Sequence, residues 1–300
     1  MAFVKWMILL LWLVVPSQAA IRIVAVDGNL AWLAQAVGGD RVQVTSLTTG
    51  SINMHTLYPK PSMITALQSA DMIIRLGMDQ DTWVDSLIQT ARNPRLFSDR
   101  LGYVDASQGI TPLEVPVGTI DGRQGDVHPQ GNPHYLLNPL NGIIVATTIC
   151  DRLARMDPDH AATYYGHLDT LSRTIRQKMP RWKAALAGVH GQVVVSHHKT
   201  WPYFLDAFSL PFLGTLEPVP GISPTIRHLH HLRQTVAQAN QPVRVISARY
   251  YPKRTGERFA ESINAPFHHL PTTVGDPAID TYPALFDAII AGMIGDDTAF

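Results

Sequence analysis

Ile21-Arg22-Ile23-Val24-Ala25-Val26 is a short apolar strand; helical spacing follows over Leu30–Val37, then a second strand at Val42–Leu47. The same order repeats outward. Pro61 suits the first turn of a helix reaching Ser69, Met72–Leu76 is another apolar strand, and Trp83–Ala91 returns to helical period. Strands and helices taking turns in this way predict a parallel α/β sheet. A second series begins at Gln192–Ser196 (strand) and continues through Trp201–Phe208 (helix) and Pro211–Leu216 (strand). Ser223-Pro224 is expected to cap a helix to Ala239. Val243–Ser247 (strand), Lys253–Ile263 (helix), Phe267–Leu270 (strand) and Tyr282–Met293 (helix) complete the series.

Between the two series lie three different stretches. Val104–Pro139 is irregular and rich in Gly, Pro, Asp and His; so long a stretch with little secondary structure is usually functional. Leu140–Met156 is helical. Asp159–Ala187 is a longer helix in which Pro180 is expected to produce a kink or a break. The expected class is therefore α/β: two lobes, each with a mainly parallel sheet, joined by one long rigid helix. The boundaries read as a signal peptide over 1–19, an N-terminal lobe over 20–157, a connecting helix over 158–188 and a C-terminal lobe over 189–300.

The signal peptide rests on Lys5, the apolar run Trp6–Pro16 and the small residues Ser17-Gln18-Ala19-Ala20, with cleavage expected after Ala19. The run is too short to span a bilayer, and no cysteine stands at the cleavage point to accept a lipid. The mature chain is thus expected in the periplasm. Lys+Arg and Asp+Glu balance at 24 each with no basic run, which argues against nucleic acid and anionic membrane as partners. Cys150 is the only cysteine, so no intramolecular disulfide can form; in an apolar helix it reads as a buried core thiol.

Thirteen histidines are many for this length. Four of them lie in three loops of one kind, between a strand or tight turn and a helix: His55, His134, and the pair His197-His198 directly after a strand. A fourth such loop, Leu270–Asp280, offers the carboxylates Asp276 and Asp280 instead. Open α/β sheets bind ligands beyond the carboxyl ends of their strands, and neutral imidazole is the commonest zinc ligand. Three imidazoles and one oxygen would make a tetrahedral site. Singly, each is an ordinary loop histidine, and intervals of 79 and 64 residues form no compact metal motif.

The residues around them carry a resemblance. Asn53-Met54-His55-Thr56-Leu57-Tyr58-Pro59-Lys60-Pro61-Ser62, Ala70-Asp71 with Gly77, Asn132-Pro133-His134 with Asn138-Pro139, His198 with Tyr203-Phe204, and Glu217-Pro218-Val219-Pro220-Gly221 occur in order. Together they resemble the metal-specific (zinc/manganese) solute-binding proteins of bacterial ABC transporters, the cluster A-I or TroA-like family. The resemblance covers essentially the whole mature chain. It implies metal held in the cleft between lobes by His55, His134 and His198, with His198 preferred to His197. The expected cargo is zinc, with manganese or iron as alternatives. The expected partners are an ABC permease in the inner membrane and its cytoplasmic ATPase, and the protein is expected to be a monomer and not an enzyme.

The sequence departs from the family pattern at three places. Asn53 and Met54 replace the usual Asp-Pro. Thr273 stands where a carboxylate ligand is usual; Asp276 is the expected fourth ligand, with Asp280 or water as alternatives. The loop that is His-rich in zinc members holds only His128, read as an auxiliary ligand or a loop-structuring residue. His228, His230 and His231 read as a solvated helix face, and one of His268 and His269 as a neighbour supporting a ligand. A secreted zinc hydrolase and an adhesin-like surface protein are the rival readings.

Overall fold

The structure is a computed structural model describing residues 20–50, 52–118, 125 and 127–295. Residues 1–19, where a signal peptide is expected, lie outside the described residues. No described helix is long and apolar enough to cross a membrane.

The N-terminal lobe runs β1 (Ile21–Ala25), α1 (Gly28–Gly38), β2 (Val42–Ser46), α2 (Pro61–Ser69), β3 (Met72–Arg75), α3 (Trp83–Ala91), β4 (Tyr103–Asp105) and α4 (Pro139–Met156). Helix α5 (Ala161–Ala185) leads to β5 (Val193–Ser196), α6 (Pro202–Ala207), β6 (Phe212–Thr215), α7 (Ile226–Ala239), β7 (Val243–Ala248), α8 (Lys253–Ser262), β8 (Phe267–Leu270) and α9 (Tyr282–Ile294). Both sheets are wholly parallel and share one pattern, β2-β1-β3-β4 and β6-β5-β7-β8. The central strands β3 and β5 are buried at every residue, as strands covered on both faces must be.

Helix α5 buries Tyr164, Leu171, Ile175, Met179 and Trp182, a stripe at helical spacing, and turns its other faces outward. It runs unbroken through Pro180, where a division was an alternative. Pro180 is exposed, so the carbonyl that loses its helical partner faces water. Asp287 on α9 ties α5 down twice, accepting from Trp182 Nε1 at 2.7 Å and from Lys178 Nζ at 2.7 Å. One hydrophobic core runs from Val24 and Ile73 through Ile175 and Trp182 to Phe204, Leu270 and Phe286, so the two sheets share it. A smaller cluster around Val195, Leu216, Val245 and Phe259 fills the other face of the second sheet.

Two local readings change. Helix α7 begins at Ile226, because Thr225 caps it by accepting from His228 N at 3.2 Å; Ser223-Pro224 precede the helix. Strand β4 overlaps the start of the segment expected to be irregular.

Polar contacts across the lobes shape the cleft. Asn29 of α1 donates to Thr272 O at 3.1 Å and accepts from Val274 N at 2.9 Å. Gly28 makes this approach possible, since a Cβ there would lie 2.0 Å from Val274 O. Tyr282 Oη donates to Leu136 O at 2.6 Å, and Leu113 N donates to Tyr203 Oη at 3.0 Å.

Candidate metal centre

Two asparagines shape the N-terminal-lobe loops in the same way. After β2, Asn53 Oδ1 accepts from His55 N at 3.0 Å and starts a single 3₁₀ turn over Met54–Thr56. Ahead of α4, Asn132 Oδ1 accepts from His134 N, also at 3.0 Å. Asparagine thus supplies the side-chain acceptor a turn of this type needs, without the charge of aspartate. Asn132 also reaches across the cleft, donating to Lys199 O at 2.7 Å and Glu114 Oε2 at 2.9 Å. Tyr135 Oη donates to Leu76 O at 2.7 Å and anchors the His134 loop to the end of β3.

In the C-terminal lobe, His198 follows the buried end of β5. Ser196 Oγ donates to His198 O at 2.6 Å, and Glu217 N to His197 O at 3.1 Å, so this segment is fixed against the strand beside it.

These loops bring His55, His134 and His198 together, with one nitrogen from each within 4.8 Å of the others. Ring centres are 5.4 Å apart for His55–His134, 5.3 Å for His55–His198 and 5.7 Å for His134–His198. Imidazoles bound to tetrahedral zinc at about 2.05 Å would have ring centres roughly 5.2 Å apart. The three rings are therefore spaced as one ion would hold them.

His198 Nδ1 lies 2.7 Å from Glu217 Oε2, both side chains being buried, and the same oxygen accepts from Gly221 N at 2.9 Å. With Nδ1–H donating to the carboxylate, the Nε2 lone pair remains for the cluster. His134 Nδ1 lies 3.5 Å from the side-chain amide of Gln80, and its Nε2 is buried without a hydrogen-bond partner. Burial first, then the imidazoles of His55, His198 and His128, holds His134 well below the ordinary histidine value. It is thus a neutral donor at neutral pH.

The remaining expected residues lie elsewhere. The structure does not bring Asp276 into the cluster: its buried carboxylate accepts from Arg249 Nη1 at 2.7 Å. Asp280 is exposed and also outside the cluster, while Thr273 lines the small cavity shared by His55 and His134. His197 turns away and stacks on Tyr251, with centroids 4.2 Å apart; burial lowers its pKa to about 4. His128 does reach the site, its ring 5.3 Å from that of His55, though it is not among the three that converge.

Neither His268 nor His269 supports a ligand directly. His268 Nε2 lies 2.7 Å from Arg244 Nη1, and His269 Nε2 lies 3.1 Å from Tyr251 O. Glu217 fills that place instead. It stood out in the sequence only as part of a Glu-Pro-Val-Pro-Gly stretch, and its pairing with His198 comes from β6 lying beside β5. On α7, His230 and His231 are exposed, while His228 Nε2 lies 2.8 Å from Thr215 O.

Two parallel α/β lobes sharing a core, with imidazoles from both converging between them, define the class as a two-lobed binding protein with a candidate metal cleft. The family model for ZnuA, the zinc-uptake complex component A, periplasmic, matches residues 23–293, and the chain belongs to that family. Among curated relatives, a putative metal-binding protein of Treponema pallidum is 22% identical over 70% of this chain and 66% of its own length. The iron-binding protein YfeA of Yersinia pestis is 28% identical over 54% of this chain and 48% of its own. The manganese ABC transporter substrate-binding lipoprotein PsaA of Streptococcus pneumoniae is 22% identical over 75% and 71%. The match thus spans less than two thirds of the first two relatives. A crystal structure of ZnuA superposes with a TM-score of 0.76 at 23% identity, covering 93% of this chain and all of that one, so the fold is shared.

Proposed function

We propose that this protein captures a divalent transition metal outside the cytoplasm and delivers it to an ABC permease in the inner membrane, driven by a cytoplasmic ATPase. Zinc is the metal favoured, and His55, His134 and His198 are its ligands. The observation that carries this reading is the convergence of one nitrogen from each of these histidines within 4.8 Å, from loops of both lobes. Family membership supports the transport role.

The donor set favours zinc over manganese. Manganese prefers carboxylate and other oxygen donors, whereas imidazole suits zinc. The relatives' names include iron and manganese, so the preference rests on this chain's own donors. Capture alone, acting as a monomer, suits the site better than catalysis. Glu217 is the only carboxylate among the described residues lining the large cavity beside the histidines, and it is committed to His198.

The test is zinc titration by chelator competition on the mature chain and on His55→Ala, His134→Ala and His198→Ala. Each substitution is expected to weaken binding by at least about tenfold, or roughly 1.4 kcal/mol. Wild-type affinity in all three would show that the metal binds elsewhere.

A further inference from the structure

On the C-terminal-lobe side of the cluster lies a cavity of about 860 Å³, to which His55 and His198 both contribute. That is far more room than one metal ion needs, and it falls in the range of sites for small organic ligands. Its outer wall is built from two helices. Leu229 and Arg233, four apart on α7, face it together; Thr255, Arg258, Phe259 and Ser262 do so from α8. Hydroxyls of Thr56 and Ser223 complete a polar lining.

The charge of this cavity is unexpected for a cation receptor. Arg233 and Arg258 both line it, and no ion pair or hydrogen bond engages either side chain among the described residues. The only lining carboxylate among those residues, Glu217, already accepts from His198 Nδ1 and Gly221 N. A bare dication on three imidazoles, offset only by the Glu217 carboxylate behind His198, would therefore keep excess positive charge in a cleft that also carries two guanidinium groups. Like charges in a partly desolvated cleft repel, so this arrangement works against bare metal and in favour of metal accompanied by an anion. Guanidinium recognises carboxylates through paired N–H donors.

We infer that the cavity binds a small polycarboxylate, so that the protein takes up its metal as a carboxylate chelate. One carboxylate oxygen fills the position left open by the three histidines, and the remaining carboxylates pair with Arg233 and Arg258. This inference rests on the metal site proposed above. It also accounts for the lack of a fourth protein carboxylate among the described residues of the cluster.

The test uses citrate as the probe, titrated calorimetrically into zinc-loaded and metal-free protein, with the visible absorption of cobalt(II)-loaded protein as a second readout. Saturable one-to-one binding to the zinc form is expected, at least about tenfold tighter than to the metal-free chain, with a change in the cobalt spectrum as oxygen enters the shell. The double variant Arg233→Gln/Arg258→Gln should weaken citrate at least about tenfold while binding zinc alone at least as tightly as wild type, since two repelling charges are gone. Normal zinc binding with no saturable citrate binding overturns this inference alone, as does a double variant that binds citrate like wild type. Equal binding of acetate or phosphate overturns the polycarboxylate assignment. Absence of zinc binding by the wild-type chain overturns the metal reading itself.

Discussion

Glu217 offers the sharpest test of how the candidate centre works, because it acts on the metal only through His198. Its Oε2 accepts from both His198 Nδ1 and Gly221 N, while Oε1 stands 3.9 Å from His197 Nε2. Glu217→Gln can keep both donors satisfied by placing its amide oxygen where Oε2 lies, so it removes the charge and leaves the geometry. Glu217→Ala removes the acceptor, strands the buried His198 Nδ1–H, releases Gly221 N and frees the His198 ring to turn. Hydrogen bonds to charged groups contribute about 1.5–3 kcal/mol and neutral ones roughly half that. Loss of such an outer partner typically costs about 10–100-fold in metal affinity.

Zinc affinity should therefore fall by about 3–10-fold in Glu217→Gln and by about 10–100-fold in Glu217→Ala. Chelator competition at pH 7.5 gives the affinities, and circular dichroism confirms that each variant is folded. His197→Ala serves as the control for a neighbouring imidazole that stacks on Tyr251 rather than joining the cluster, and a change under about threefold is expected. The reasoning fails if folded Glu217→Ala binds zinc like wild type, because His198 would then need no carboxylate to orient it.

His134 makes metal-free stability depend on pH. Its folded pKa lies below the unfolded value, so below about pH 6.5 the unfolded chain holds a proton the folded chain refuses, and stability falls with pH until the folded pKa is reached. Melting curves in chelator at pH 7.5 and 5.5 should show a smaller pH effect in His134→Asn than in wild type. His128→Ala should weaken zinc by less than about threefold; a loss above about tenfold would make the site four-imidazole and close the position a carboxylate needs. Gly28→Ala would put a Cβ 2.0 Å from Val274 O, a backbone atom that cannot step aside alone. It should destabilise the chain by about 1–3 kcal/mol in denaturant unfolding, and wild-type stability would show that the lobes do not need this approach.

Most of the fold is readable because its strands are short apolar runs and its helices carry their own start signals. Helix α2 begins at Pro61, as its place in the first turn requires, and β8 occupies Phe267–Leu270 as read. Strand β4 escapes notice because three residues have no period, and only Val104 among them is buried. The true cap of α7 is hidden by Ser223-Pro224, a stronger-looking start signal two residues earlier, while Thr225 makes the hydrogen bond. Pro180 misleads for a different reason: helix interruption depends on whether the orphaned carbonyl is buried, and that is a property of the packed molecule.

The candidate site divides along the same line. Loop context and motif order single out His55, His134 and His198, and spacing to Tyr203-Phe204 favours His198 over His197. What stays hidden is where charge sits. Asn53 and Asn132 keep the turns that present His55 and His134 but bring no negative charge to them. Asp276, the obvious carboxylate in sequence, is taken by Arg249. Glu217 lies one hydrogen bond behind His198, while Arg233 and Arg258 stand exposed to the cavity. A dication bound there would meet neutral donors first, one carboxylate through an imidazole, and then two cations. That sequence of charges belongs to strand adjacency and helix facing, and it makes an incoming anion, rather than another side chain, the natural partner for the ion.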